Sequence, residues 1–154
     1  LGIISCQAYA EDTVIVNDHD ISAIKDCWQK NSDDDTDVNV IKSCLRQEYN
    51  LVDAQLNKAY GEAYRYIEQV PRTGVKKPDT EQLNLLKKSQ RAWLDFRDKE
   101  CELILSNEDV QDLSDPYSES EWLSCMIIQT NTRTRQLQLY RNSEDFYPSP
   151  LTRG

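Results

Sequence analysis

The stretch that decides the fold is QRAWLDFRDKEC, residues 90–101. Gln90, Trp93, Arg97 and Cys101 recur within it at intervals of three and four, the spacing that places side chains on one face of an α-helix. The charged residues between them are expected to point into water; they are Arg91, Asp95, Asp98 and Lys99. The stretch therefore predicts an amphipathic helix with this one face turned towards a core.

The roles expected on this inner face are structural. We expect Trp93 to be part of the core and Cys101 to form a disulfide. Arg97 is expected to satisfy a carboxylate or carbonyl group of a neighbouring helix, because a buried charge needs a partner. Glu48 or Asp53 on the preceding helix is the predicted partner. Direct contact with a binding partner is the alternative role for this face.

Helical spacing extends to both sides of the stretch. A short helix is predicted at about residues 21–30, and a long one at 38–70 has seven apolar residues on one face: Ile41, Leu45, Val52, Leu56, Ala59, Ala63 and Ile67. A third helix begins at Asp79 or Thr80, with the inner face Leu83, Leu86, Gln90, Trp93, Arg97, Cys101 and Ile104. A fourth starts from a capping box of Ser118 and Glu121 and runs to about residue 141. Its predicted inward residues are Trp122, Cys125, Ile128 and Leu139.

Few residues in the chain favour tight turns, since its 154 residues include only four glycines and five prolines. An all-β fold needs many such turns, so helix is the favoured class. The length suits one domain that buries a core without a metal or a partner. We predict an all-α fold: a small disulfide-stapled bundle of about four helices, with helices two to four antiparallel and a short N-terminal helix.

The cysteine count favours disulfides. Apart from Cys6 there are four cysteines, an even number that suits an oxidising compartment; they are Cys27, Cys44, Cys101 and Cys125. Three pairings are possible, and the predicted helix layout favours Cys27–Cys44 and Cys101–Cys125. Zinc is disfavoured because the chain has no C-x-x-C pair and a single histidine. No metal and no other cofactor is predicted.

The first residues have the pattern of the end of an export signal. The apolar run LGIISC precedes Ala8-Tyr9-Ala10, whose alanines stand at the two positions that a signal peptidase recognises. In the alternative interpretation Cys6 is lipidated and anchors the protein to a bacterial membrane. We predict a periplasmic protein, with residues 1–10 as a signal remnant, 11–142 as the helical domain and 143–154 as a loose C-terminal tail.

The charge balance argues against anionic partners. The net charge is −9 at pH 7 and the sequence pI is about 4.6, so nucleic acid and an anionic membrane surface would be repelled. A basic protein is the more natural partner. Solubility of a secreted protein is the alternative explanation of the acidity.

Residues that carry chemistry are scarce. His19 precedes the first predicted helix, so a Ser-His-Asp catalytic triad or a Cys-His dyad is not expected. The chain also has no glycine-rich phosphate-binding loop. The segment 31–37 (NSDDDTD) has aspartates at alternating positions, but Val38 and Cys44 stand where a calcium loop needs Gly and Glu. The chain is therefore predicted not to be an enzyme, with a carboxylate-based cell-wall glycosidase as the remaining enzymatic alternative.

Residues 90–98 (QRAWLDFRD), followed by Cys101, resemble the signature of the LprI-like family of lysozyme inhibitors. Two upstream elements of that pattern are matched by Cys44-Leu45 and by LNKAY at residues 56–60, and the downstream elements by Cys125, Arg133 and Arg135. The resemblance extends over about residues 27–139. It implies a small exported helical domain with disulfides that inhibits lysozyme.

Blockage of the lysozyme cleft, which two catalytic carboxylates line, is a mechanism compatible with this resemblance. The basic segment 71–78 (PRTGVKKP) is the candidate plug, with the contact residues Arg72, Thr73, Lys76 and Lys77. An acidic rim would attract a basic enzyme. The rim candidates are Asp33, Asp34, Asp35 and Asp37, or else Glu108, Asp109 and Asp112. Ordinary solvated loops are the alternative for both segments.

These observations predict an exported inhibitor that binds and blocks a lysozyme or a related peptidoglycan hydrolase. One alternative is an immunity protein that neutralises a peptidoglycan-hydrolase toxin from competing bacteria. The other is the carboxylate-based glycosidase.

Overall fold

Four α-helices form the part of the chain that the computed structural model describes, residues 18–29, 37–69, 80–106 and 116–140. They are α1 (Asp18–Gln29), α2 (Val38–Gln69), α3 (Thr80–Ser106) and α4 (Pro116–Leu139). None of these residues is in a strand. The predicted all-α class and the number of helices are confirmed. The predicted signal remnant and tail lie outside the described residues.

Helices α2 and α4 lie side by side and run parallel. Near their starts, Arg46 of α2 forms an ion pair with Glu119 of α4. Near their ends, Ile67 of α2 and Leu137 of α4 belong to one apolar cluster. This pair is the centre of the bundle, against which the other two helices pack.

Helix α3 runs antiparallel to both members of that pair. The Lys87 ammonium, in its first half, lies 5.3 Å from the ring centroid of Tyr64 in the second half of α2. Cys101, in its second half, is bonded to Cys125 in the first half of α4. Helices two to four are antiparallel in succession, as predicted, so α2 and α4 run parallel to each other.

The inner face of α2 is the one predicted from its periodicity. All seven expected residues are buried. The residues of the first half pack with α1 and α4, and those of the second half with α3 and α4. Because one apolar stripe meets all three other helices, α2 organises the core along its whole length.

The fourth helix differs from its prediction at both ends. It begins at Pro116, whose fixed backbone angle suits the first turn, and Ser118 lies buried inside the helix instead of capping it. Leu139 was expected inside but is 41% exposed, while Leu137 is fully buried. The physical reason is that polar residues such as Thr130 also belong to the buried face, so apolar spacing alone does not define that face.

Both disulfides have the predicted pairing. Cys27–Cys44 joins α1 to α2, and Cys101–Cys125 joins α3 to α4. Cys101 is fully buried. Each bridge therefore links two consecutive helices inside the core.

Removal of the Cys101–Cys125 bridge should lower the free energy of unfolding by about 2–4 kcal/mol, because the bridge constrains the unfolded chain. Urea unfolding of the oxidised wild type and of C101A/C125A measures the difference. Dithiothreitol should destabilise the wild type more than the variant, which retains one bridge. Equal stability of the oxidised wild type and the variant would contradict the prediction.

Candidate functional site

The inner face of α3 carries the three side chains that were expected to act as a scaffold. Gln90 and Arg97 are buried, and Trp93 is half-buried against the apolar cluster of α2, α3 and α4. The guanidinium carbon of Arg97 lies 5.2 Å from the Trp93 ring centroid, within the range of a cation–π contact. These side chains lie between helices, where a scaffold role requires them.

Arg97 is bound by a carboxylate of its own helix. Its Nε and Nη2 donate to Asp98 Oδ1 at 2.9 and 2.8 Å. The sequence predicts Glu48 or Asp53 on α2 for this role, and it predicts that Asp98 points into water. Asp98 is half-exposed and reaches Arg97 from the solvent side. Its carboxylate therefore contacts water and also binds the buried guanidinium.

The α2 side chain that faces Arg97 is Tyr49. Burial raises the pKa of the Tyr49 hydroxyl above its ordinary value of 10.0, and the positive charge of Arg97 opposes part of that rise. The Tyr49 ring also lies 6.3 Å from that of Trp122, centroid to centroid. Among the described residues, Nη1 of Arg97 is buried and lacks a hydrogen-bond partner, which costs about 1–3 kcal/mol. The surrounding packing must offset that cost.

Arg133 of α4 is a second buried arginine, and the atoms that bind it are neutral. Its Nε donates to Gln90 Oε1 at 2.9 Å, its Nη1 to Gln136 Oε1 at 3.2 Å and its Nη2 to Ser89 Oγ at 3.3 Å. The bond to Gln90 connects α4 to α3 and fixes how the two helices align. In the sequence, Arg133 matches a family pattern, but its partner is not evident. Its position four residues before the buried Leu137 is the signal that it faces inward.

Most residues expected to contact a partner lie outside the described residues: Arg72, Thr73, Lys76, Lys77, Asp33, Asp34, Asp35 and the alternative rim of Glu108, Asp109 and Asp112. Asp37 is described, and it stands at the start of α2. Its Oδ1 accepts hydrogen bonds from the backbone N and from Nδ2 of Asn39 at 2.9 and 3.0 Å. This is the geometry of a helix N-cap, which gives Asp37 a structural role.

The helix ends that border the basic and acidic candidates lie at opposite ends of the bundle. Segment 70–79 follows the end of α2, whereas segment 30–36 precedes its start. Since α2 has 32 residues, these ends are about 48 Å apart. The two ends of α2 from which the basic and acidic candidates start are therefore far apart.

A shallow surface pocket of about 360 Å³ lies near the end of α2. It is lined by Glu62, Arg65, Tyr66 and Gln69, in the last two turns of α2. Gln69 is also the last described residue before segment 70–79. The pocket thus offers a carboxylate, an arginine, an aromatic ring and an amide near the end of α2.

The described residues offer neither a metal site nor a membrane-spanning helix. They contain no group of three or more His, Cys, Asp or Glu side chains arranged to hold a metal ion. Nor does any of their helices have the length and apolar character needed to cross a membrane.

The Gln90–Arg133 bond can be tested by substitution. Q90L should lower the free energy of unfolding by about 1–3 kcal/mol, because it leaves Arg133 Nε buried without an acceptor. The double variant Q90L/R133M should cost less than the sum of the two single changes. Urea unfolding measures all three. S89A removes the longer bond to Arg133 together with the bond from Ser89 Oγ to the Leu86 carbonyl, and it should cost about 0.5 kcal/mol or less. Additive costs of the Q90L and R133M changes would show that the Gln90–Arg133 bond is unimportant.

Tyr49 predicts a loss of stability at high pH. Because the pKa of Tyr49 in the folded state lies above 10.0, its hydroxyl ionises at a lower pH in the unfolded chain than in the folded one. The contribution of Tyr49 to stability is therefore fully present below pH 10 and is lost as the pH rises further. Urea unfolding of the wild type and Y49F from neutral to alkaline pH measures this. The wild type should lose more stability than Y49F above about pH 10. Parallel pH curves would contradict the assigned shift.

Comparison with known proteins relates the chain to one family. The family model described as lysozyme inhibitor LprI matches residues 27–137, from the last turns of α1 to the buried end of α4. An uncharacterized protein of Rhizobium meliloti (strain 1021) is 36% identical over 62 residues, which are 39% of this chain and 45% of that protein. The match thus spans less than half of the relative's length. No solved structure matches the chain significantly. The family match covers most of the chain, including both disulfides and the inner face of α3, and the chain therefore belongs to the LprI family of lysozyme inhibitors.

Proposed function

We propose that this protein is an exported inhibitor that binds and blocks a lysozyme or a related peptidoglycan hydrolase. The observation that carries the proposal is the family match over residues 27–137. That match includes the four cysteines and the inner face of α3, so it concerns the whole bundle and not an isolated motif. Blockage of a target enzyme and the position of the contact surface are likewise proposed.

The proposed compartment is the periplasm. Two disulfides join consecutive helices, and such bonds persist in oxidising compartments. The Ala8-Tyr9-Ala10 pattern supports export of a soluble protein. Lipidation of Cys6 is the alternative, and it would hold the same domain at a membrane.

The proposed contact surface is the basic end of the bundle. A lysozyme cleft is lined by catalytic carboxylates, which favour cationic groups. Segment 71–78 has three cations, Arg72, Lys76 and Lys77, and Thr73 adds a hydroxyl group. Arg65 and Tyr66 extend this surface onto the described part of α2 through the pocket that they line.

The acidic residues have a different place in this proposal. A net charge of −9 attracts a basic enzyme over distances of about a Debye length, roughly 10 Å at moderate salt. Asp33, Asp34, Asp35 and Asp37 contribute to that attraction from the opposite end, without entering the cleft. Steering by the acidic body and contact by the basic end are thus separate steps.

The proposed roles of the basic and acidic ends can be distinguished by matched triple variants. R72A/K76A/K77A should raise the inhibitor concentration needed for half-inhibition by about tenfold or more, because it removes the cations proposed to meet the cleft. D33N/D34N/D35N alters the same number of charges at the other end and should mainly slow association and reduce its salt dependence. Clearing of a bacterial cell-wall suspension by lysozyme measures inhibition. Unchanged inhibition by the basic-end variant would rule out the plug.

The same suspension separates the alternatives. Clearing by this protein without lysozyme would indicate a glycosidase. The described pocket has one carboxylate, Glu62, whereas glycoside hydrolysis generally uses two. No effect on lysozyme together with inhibition of a bacterial peptidoglycan-hydrolase toxin would indicate an immunity protein.

A further inference from the structure

The solvent-exposed side of α3 has a heptad pattern, and Ser89 at its edge also contacts Arg133 of α4. Six residues recur at alternating intervals of four and three, as in a coiled-coil seam: Leu85, Ser89, Ala92, Phe96, Lys99 and Leu103. Three of these side chains are large, apolar and exposed, with 58%, 53% and 57% of Leu85, Phe96 and Leu103 accessible. These six residues form the outer seam.

Charge is divided along the same helix. Residues 80–91 include three cations and one anion, whereas residues 92–106 include four anions and two cations. Lys88 and Glu102 lie near the two ends of one flank of the outer seam, and both are exposed. Of the two cations in the acidic half, Arg97 is buried on the inner face. The solvent side of α3 is thus basic in its first half and acidic in its second.

From this pattern we infer that α3 docks against α3 of a second copy of this chain, in an antiparallel pair with twofold symmetry. In such a pair, residues equally distant from the centre meet. Leu85 and Leu103 lie nine positions on either side of position 94, and Ala92 and Phe96 lie two positions on either side. Each leucine therefore meets a leucine, and each large phenylalanine meets a small alanine.

The charges agree with the same alignment. The antiparallel pair brings Lys88 of one copy near Glu102 of the other, and twofold symmetry makes this contact twice. A parallel pair would instead place like charges together. Asp95 falls near the twofold axis, where its ion pair with Lys99 at 2.8 Å reduces repulsion between the two copies. Shape and charge thus specify one partner, a second copy of the chain.

The dimer is expected to be weak, because three exposed apolar side chains in each copy make a seam smaller than a standard stable interface. Sedimentation velocity of the full-length oxidised protein over a concentration series should show a monomer–dimer equilibrium. Added salt should shift it towards monomer, since salt screens the Lys88–Glu102 attraction. A monomer at every concentration would overturn the inference.

Two sets of variants locate the interface. F96D should raise the dimer dissociation constant by about tenfold or more, whereas L51D should not change it. Leu51 is a matched control because it is 59% exposed on α2 and lies outside the outer seam. Both positions are exposed, so circular dichroism should show unchanged helix content. Equal effects of F96D and L51D would contradict the assignment.

The charge alignment is tested by a swap. K88E and E102K should each weaken dimerisation by about tenfold, because each change makes both symmetric contacts repulsive. K88E/E102K should restore the wild-type dissociation constant. A double variant as weak as either single one would refute the antiparallel alignment. If F96D impaired inhibition of a hydrolase without changing self-association, the outer seam would bind a different protein and the inference would fail.

Discussion

The docking of α3 is the constraint on which the rest of the structure depends. Few aliphatic side chains hold this helix in place, and its buried face also includes Gln90 and Arg97. Its position is fixed by the bond from Arg133 to Gln90, by Arg97 beside Tyr49, and by the disulfide from Cys101. Hydrogen bonds and a covalent bond are directional, so they define one alignment where apolar contacts alone would allow several.

The position of α3 in turn fixes where the candidate contact segments begin and end. Segment 70–79 ends at the start of α3, and segment 107–115 begins at its end. A helix of 27 residues therefore separates a predominantly basic end of the domain from a predominantly acidic one. This separation favours two distinct roles in the proposed inhibitor. The whole acidic body attracts the basic enzyme, and the basic end contacts it.

The proposed self-association is compatible with that function because it uses a different surface. The outer seam runs along the side of α3, whereas the pocket of Arg65 and Tyr66 lies at the end of α2. In an antiparallel dimer the two basic ends point in opposite directions. Each copy would therefore keep its basic end accessible to a hydrolase.

Local periodicity was enough to predict the helices, the seven buried positions of α2 and both disulfides. A helical repeat depends only on neighbouring residues, and the even cysteine count combined with the helix order favoured one pairing. Periodicity failed for α4, where Leu139 is exposed and Leu137 is buried, because polar residues share its inner face. It also failed for Arg97, because a partner on another helix depends on how the two helices are rotated.

The sequence by itself thus determined the helical class, the disulfide pairing and the family pattern, since all three depend on residue types and on their spacing. Tertiary structure decided that α2 and α4 run parallel, that Gln90 receives Arg133, and that Asp98 rather than a carboxylate of α2 binds Arg97. It also decided that the basic and acidic candidates start from opposite ends of a long helix. These features depend on the relative rotation and placement of whole helices, which residue spacing within one helix does not specify.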